Sequence, residues 1–343
     1  MIDLKSMFPE ELEEFIISLG EPKFRANQVY SWIYKGVRSF DEMRNIPQSL
    51  KDKLSANACL NGLNLLRKQV SSVDGTTKYL WELSDGNAVE TVVMRYEHGL
   101  TVCISSQVGC RQGCAFCAST IGGLVRNLTA AEMLDEVLYS QLDLGEKISN
   151  IVIMGIGEPL DNYDEVMRFL RLVNLPGGLN IGMRHISLST CGLTEKIDVL
   201  AKEDLQITLA LSLHAPDDET RSRLMPANRG RGIETVVSAC EKYFRTTGRR
   251  ITFEYAMINE VNDSPAQAEK LASLARRVKA HINLIPLNHV EEREFAPSTP
   301  ERMKAFCKIL SDHGANYTIR RSLGGDVDAS CGQLRRKREL GRL

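Results

Sequence analysis

From residue 99 onward, short apolar runs alternate with longer amphipathic stretches. The runs predict strands over 100–105, 149–154, 184–189, 206–213, 250–258 and 281–286. The stretches between them predict helices over 129–143, 162–173, 194–203, 232–246, 264–279 and 299–313. Repeated βα units imply an α/β fold with a parallel sheet and right-handed crossovers. Six units suit an open, partial (β/α)6 barrel better than a full eight-stranded one. A flavodoxin-like or Rossmann sheet is the alternative, but no G-x-G-x-x-G follows the first strand.

The first 95 residues are patterned differently. Pro9 opens EELEEFIISLG and Gly20 stops it; Pro22 precedes KFRANQVYSWIYKG, closed by Gly36; Pro47 starts QSLKDKLSANA. Residues 1–60 therefore predict a small helical accessory domain. Its Lys23, Arg25, Lys35 and Arg38 are scattered as on a solvated face, with an RNA surface as the sharper alternative. Over 61–95, Asp74-Gly75 and Ser84-Asp85-Gly86 punctuate β-rich segments, which predicts a short meander. Counting by twos along AVETVVM puts Ala88, Glu90, Val92 and Met94 on one face. Glu90 is an acid among apolar neighbours, and from the pattern alone an edge-strand glutamate is the simplest account. The organisation expected is an accessory domain over 1–60, a meander over 61–95, a barrel over 96–326 and a C-terminal segment over 327–343.

Composition narrows the class. The chain has 343 residues, 43% hydrophobic and 25% charged, with a net charge of −1. It is not a polycation, so nucleic-acid contact must come from a local patch. The acidic start MIDLKSMFPEELEEF has no apolar signal region, and no run reaches membrane-spanning length. Nine cysteines without an export signal predict a reducing, cytoplasmic setting and metal or catalytic roles.

Four of those cysteines lie in CISSQVGCRQGCAFC, residues 103–117. Cys110, Cys114 and Cys117 form C-x3-C-x2-C on a loop with Gly109 and Gly113. Zinc usually takes two well-separated C-x2-C pairs, and no second pair is present. A [4Fe–4S] cluster is normally held by four thiolates. Three leave one iron open to chelate a substrate or cofactor. Cys103 is either a fourth ligand or, since it sits in the apolar run Leu100–Ile104, a strand residue leading into the loop; zinc or a disulfide are the remaining readings.

In a parallel barrel, chemistry gathers at the C-terminal ends of the strands. Those ends carry the cysteine loop, then Gly155, Gly157, Glu158 and Pro159, then Ser189 and Thr190, then Ser212 and His214, then Pro286 and Asn288. Singly each is an ordinary cap or turn residue; together they describe a polar rim around the cysteine loop. Gly157-Glu158-Pro159 is the most specific, because glycines permit close backbone approach and a carboxylate can take up an ammonium group. Cys331 lies among Gly324, Gly325 and Gly332 and precedes RRKREL, a basic tail suited to phosphate contacts. Cys59, Cys191, Cys240 and Cys307 read as buried structural thiols.

These strings together resemble one family. C-x3-C-x2-C on the first βα loop of a partial barrel is similar to the radical S-adenosylmethionine superfamily. TVCISSQVGC, FCAST, RNLT, MGIGEPLDN, LIPLN and GDVDASCGQL resemble the RNA adenine methyltransferase family of RlmN and Cfr, over Glu90 to Leu334, with FCAST favouring the RlmN branch. The resemblance implies that Cys110, Cys114 and Cys117 ligate [4Fe–4S], whose free iron chelates S-adenosylmethionine. It implies that Gly157, Glu158, Ser189, Ser212, Leu213, His214 and Asn288 hold the rest of that molecule. It further implies that Cys331 accepts a methyl group, that a second S-adenosylmethionine yields a radical that activates this methyl, and that the resulting carbon adds to carbon 2 of an adenine in 23S rRNA or tRNA. Cys103 would release the product through a transient disulfide with Cys331, and Glu90 would be the proton acceptor. An external flavodoxin or ferredoxin would supply electrons, to an enzyme expected to be monomeric. Adenine carbon 2 is electron-poor, so radical chemistry replaces polar methyl transfer, and the base must leave its stack. The alternatives are methylation at carbon 8, as in Cfr, and a non-catalytic iron–sulfur RNA-binding regulator in which Cys103 closes the cluster.

Overall fold

The computed structural model describes every residue except 289, 322, 329, 330 and 343. Residues 329 and 330 of the DASCGQL string thus lie outside the described residues. The chain begins with β1 (Ile2–Asp3), then α1 (Pro9–Ser18), α2 (Phe24–Ile33) and α3 (Gln48–Asn57), and β2 (Ala58–Cys59) returns beside β1. Pro9 sits at the first turn of α1, where its missing N–H costs nothing, and Glu11 reaches back to the Phe8 amide at 2.8 Å. Leu12, Ile16, Val29, Ile33, Leu50 and Leu54 form a separate core for this helical module. A buried Lys5–Asp135 ion pair of 2.5 Å ties the module to the barrel.

One ten-stranded sheet makes up most of the rest. Strands β3 (Asn64–Val70), β4 (Thr77–Glu82) and β5 (Ala88–Tyr96) run antiparallel and join β6 (Gly99–Ile104). After a small hairpin of β7 (Gln107–Gly109) and β8 (Leu124–Asn127), the parallel repeat proceeds. It comprises α4 (Ala130–Leu144), β9 (Ile148–Ile153), α5 (Tyr163–Asn174), β10 (Ile186–Thr190), α6 (Thr194–Leu200), β11 (Thr208–Ser212), α7 (Asp218–Leu224), α8 (Ile233–Thr247), β12 (Ile251–Met257), α9 (Pro265–Val278), β13 (His281–Pro286), α10 (Pro300–Asp312) and β14 (Tyr317–Ile319). α11 (Gln333–Glu339) ends the chain. The strand order β14-β13-β12-β11-β10-β9-β6-β5-β4-β3 leaves β14 and β3 as edges, so the barrel stays open. Helix α4 shows why the repeat folds as it does. Ala130, Met133, Leu134, Val137 and Leu138 recur at helical spacing and are all buried, Thr129 caps the start, and Gly145 ends it in the left-handed region at φ 64°.

Three expectations need correction. The meander continues the barrel sheet through the β5–β6 ladder, so Glu90 lies on an interior strand and is buried, not at an edge. A seventh parallel strand, β14, follows the six expected ones. The basic tail is helix α11, and its cations are paired: Arg335 with Glu339 at 2.8 Å, Arg336 with Glu292 at 2.7 Å, Lys337 with Asp328 at 2.7 Å and Arg338 with Glu82 at 2.8 Å. Among the described residues no helix is long and apolar enough to cross a membrane.

Candidate active site

The cysteine loop leaves β7 and returns on β8. Cys110 donates its N–H to Gly123 at 3.0 Å, Ala115 to Leu224 at 2.8 Å, and Thr120 Oγ1 binds the carbonyls of Cys114 and Cys117 at 3.1 and 3.0 Å. The G-E-P-L-D-N turn after β9 clamps this loop. Glu158 N donates to Gln107 Oε1 at 2.9 Å, Asn162 Nδ2 donates to the carbonyls of Ser106 and Leu128, and Asp161 pairs with Arg111 at 2.8 Å. Gly157 sits at φ +114°, and a Cβ there would come within 2.7 Å of Ser106 and Gln107. Its bareness therefore serves loop-on-loop packing as well as the cavity it lines.

Cys110, Cys114 and Cys117 line one side of a cavity of ≈280 Å³. Gly157, Glu158, Ser189, Ser212, His214 and Asn288 line the remainder, and Cys331 stands at its wall. Burial raises all three loop thiols, that of Cys110 to about 12, and for Cys110 and Cys114 the charge of the neighbouring cysteines adds to the shift. Buried thiolates that repel one another need a cation, so the donor set fits a metal cluster. Among the described residues no three potential ligands converge on a single-ion point. A cubane asks for one thiolate on each of several irons, a more spread arrangement than a zinc site.

Glu158 is buried, which raises its carboxyl. Its Oε1 accepts from Leu160 N at 3.1 Å and its Oε2 from Cys191 N at 2.7 Å. Ser189 and Ser212 share a 3.0 Å hydroxyl hydrogen bond. His214 has φ 54°, its Nδ1 accepts from Ala256 N at 3.0 Å, and its proton therefore sits on Nε2. Burial, with the Arg221 charge second, lowers His214 to about 3, so it is neutral. Leu213 is the exception among the expected cofactor residues: its side chain is wholly buried in the core and lines neither cavity described here.

Cys103 lies on β6 and Cys331 just before α11, 228 residues apart in sequence, yet the two thiols are neighbours on one cavity wall, where Cys331 Sγ donates to Met154 O at 3.6 Å. The neighbouring thiol pushes Cys103 up and Cys331 down; Lys78 and Arg320 lower Cys331 further. All nine thiols are free. Cys103 is absent from the lining of the large cavity and instead borders a smaller one of ≈110 Å³, with Cys331, Thr76, Asn288, Arg320 and Arg321. Glu90 lines neither. The pattern of the sequence missed several participants: Lys78 beside Glu90, the buried Glu254 on the cavity wall, Arg320, and the wholly buried Arg221, which holds the carbonyls of Cys191 and Leu213.

Residues 104–272 match the radical SAM superfamily model, and residues 2–60 match the ribosomal RNA large subunit methyltransferase N-terminal domain. A crystal structure of a radical SAM methyltransferase from Sphaerobacter thermophilus is 43% identical, covers 97% of this chain and 99% of its own, and superposes with a TM-score of 0.92. Fold and cysteine loop thus define a radical SAM enzyme, a class that implies a [4Fe–4S] cluster and S-adenosylmethionine. Proteins named probable dual-specificity RNA methyltransferase RlmN are similar over nearly their whole length. That of Clostridium tetani is 50% identical over 337 residues, 98% of this chain and 97% of the relative. That of Alkaliphilus oremlandii is 50% identical over 336 residues, 98% of each. The chain belongs to the RlmN family of dual-specificity radical SAM RNA methyltransferases.

Proposed function

We propose that the chain methylates carbon 2 of an adenosine in 23S rRNA and in tRNA, with Cys331 as the methyl carrier and Cys103 as the thiol that releases the product. The observation that carries this is the pair itself: two thiols from distant segments on the wall of the smaller cavity, with Cys331 also at the wall of the larger one. Cys110, Cys114 and Cys117 would hold the cluster, and Glu158, Ser189, Ser212, His214 and Asn288 the S-adenosylmethionine. The cluster, when bound, supplies the electron that cleaves S-adenosylmethionine to a radical able to take hydrogen from a methyl group on Cys331.

The remaining roles belong to the protein. Cys331, held toward its thiolate, attacks the sulfonium methyl group; a carbon–sulfur bond forms on Cys331 and S-adenosylhomocysteine leaves. Once the activated carbon has joined adenine carbon 2, the adduct would have to lose its odd electron, for which the cluster would be the acceptor, and the carbon 2 hydrogen as a proton; Cys103 then attacks Cys331 Sγ. A sulfur–sulfur bond forms, and the electron pair of the sulfur–carbon bond departs with the new methyl group, which gains a proton. An external thiol or protein reductant returns the disulfide to two thiols. The smaller cavity, with Arg320 and Arg321 on its wall, offers the unstacked base a place beside both sulfurs and its phosphates a positive rim.

Nucleoside mass spectrometry of 23S rRNA and tRNA from cells lacking the chain tests the product. Loss of 2-methyladenosine from both RNAs is expected. Loss of 8-methyladenosine would move the chain to the Cfr type of reaction, and no loss would leave a non-catalytic iron–sulfur regulator. Cys103→Ala should trap RNA covalently on the protein through denaturing electrophoresis. Normal turnover by that variant would remove Cys103 from the reaction.

A further inference from the structure

The resemblance assigns Glu90 as a proton acceptor, and its surroundings give it a further task. Its Oε1 accepts from Arg335 N at 2.7 Å. Its Oε2 accepts from Gly332 N at 2.6 Å and pairs with Lys78 Nζ at 2.5 Å. Gly332 directly follows Cys331. Lys78 is wholly buried and Glu90 is nearly so. Three donors thus occupy three of the roughly four lone-pair sites of the carboxylate.

The pair belongs to a wider seat for the C-terminal segment. Lys78 lies opposite Val92 and Leu80 opposite Glu90 in the β4–β5 ladder, which makes Lys78 and Glu90 diagonal neighbours on one face. On the same face Leu80 and Ala88 enclose the wholly buried Leu334, and Glu82 binds Arg338. Gly332 at φ +81° fits against the cysteine loop, where a Cβ would stand 3.0 Å from Ser119 N. The turn that presents Cys331 is therefore held from both sides: by the loop at Gly332, and by Glu90 at the amides of Gly332 and Arg335.

We propose that the Lys78–Glu90 pair is a latch that seats the Cys331 turn at the cavity, and that both are positioning residues. The proposal rests on Cys331 being the methyl carrier. Lys78 pairs with the Glu90 carboxylate, and that carboxylate holds the two amides.

The full chain, purified anaerobically with its cluster loaded and checked by iron content, is compared with Glu90→Gln and with Lys78→Met/Glu90→Leu. The double variant removes both charges together, a change that buried pairs commonly tolerate without unfolding. Two quantities are read: amide hydrogen exchange over residues 332–339, and transfer of a labelled methyl group from S-adenosylmethionine to Cys331 by mass spectrometry. Both variants should exchange at least ~10-fold faster in that segment. Because misplacement of about an ångström is costly, methyl transfer should fall by about 100-fold. Parental exchange in Glu90→Gln over residues 332–339, with methyl transfer at the parental rate, would overturn the latch. A double variant that methylates Cys331 at the parental rate would overturn it as well. If the parent itself gains no methyl on Cys331, the functional reading fails, and the exchange measurement alone decides the latch.

Discussion

Replacement of Glu158 by alanine tests whether this carboxylate serves the turn, the cofactor or both. In the folded chain its two oxygens are taken by Leu160 N and Cys191 N, at 3.1 and 2.7 Å. Alanine leaves two buried amides without acceptors, each at a cost of about 1–3 kcal/mol, so a loss of ~2–6 kcal/mol is expected. For a chain of this size that amounts to a drop of roughly 3 °C or more in melting midpoint. Each oxygen retains a lone pair toward the cavity, where an ammonium group would add a charge-assisted bond of about 1.5–3 kcal/mol, so affinity for S-adenosylmethionine should fall by about 10- to 100-fold. Glu158→Gln separates the two effects, since its carbonyl oxygen still accepts one amide while the charge is gone: the melt should recover in part and the affinity should not. The assay is a thermal melt and equilibrium dialysis on anaerobic protein of known iron content. An unchanged melt would mean that the two amides have other acceptors. A lowered melt with parental affinity would mean that Glu158 is a turn residue only.

Two further outcomes follow from the site. Cys110→Ala, Cys114→Ala and Cys117→Ala should each abolish a cluster of about four irons per chain after anaerobic purification, and tightly bound zinc without iron in the parent would contradict the assignment. Burial lowers His214 from 6.5 to about 3. The unfolded chain therefore takes up a proton below pH 6.5 that the folded chain refuses until about pH 3, so the stability His214 contributes is complete above 6.5 and is lost as pH falls toward 3. At up to ~1.4 kcal/mol per pH unit, the parent should lose ~2 kcal/mol between pH 6.5 and 5 that His214→Asn does not. Urea midpoints at the two pH values check this, and equal losses would refute it.

The barrel was legible because its strands and helices carry strong, opposed periodicities. The six repeat strands fall within one or two residues of their expected positions, and α8 and α9 at Ile233–Thr247 and Pro265–Val278 nearly coincide with them. Short elements escaped. DETRSRL of α7 makes little more than one polar turn on each side, and YTI of β14 is too brief for a period to register. QLRRKRE is composed of good helix formers, but its charge suggested a phosphate-binding tail; Gly332 at its start was the available signal. Counting by twos isolated Glu90 correctly and then misplaced it, because no local pattern states that β5 is paired on both sides. The same count along TKYLWE would have flagged Lys78 beside Leu80. Their meeting is a property of the β4–β5 register, which is a tertiary fact.

That register also bears on why the barrel carries extra strands. Cluster and cofactor residues come from the loop after β6 and from the strand ends that follow, so the parallel repeat alone supplies them. A thiol that accepts a group and then yields it needs a partner thiol in reach at the right step, and strands of one parallel sheet present their ends side by side rather than facing. In this chain one thiol is fixed on β6, and its partner arrives on the segment before α11. Strands β4 and β5 extend the sheet beyond β6 and give that segment a floor: Lys78 and Glu90, then Leu80 and Ala88, then Glu82. Asp326 adds hydrogen bonds to Ser71 and Ser72 at 2.6 and 2.9 Å, and Asp74 holds Gly324 N at 2.8 Å. These contacts are polar, short-range and divided among several small pieces of surface, with Leu334 as the one fully buried apolar anchor. A segment held this way is seated firmly enough to place Cys331 at a defined point, and can open without disturbing the barrel core behind it. On the proposed reaction the meander is therefore part of the apparatus: it would turn a barrel that generates a radical into one that hands a carbon from sulfur to RNA.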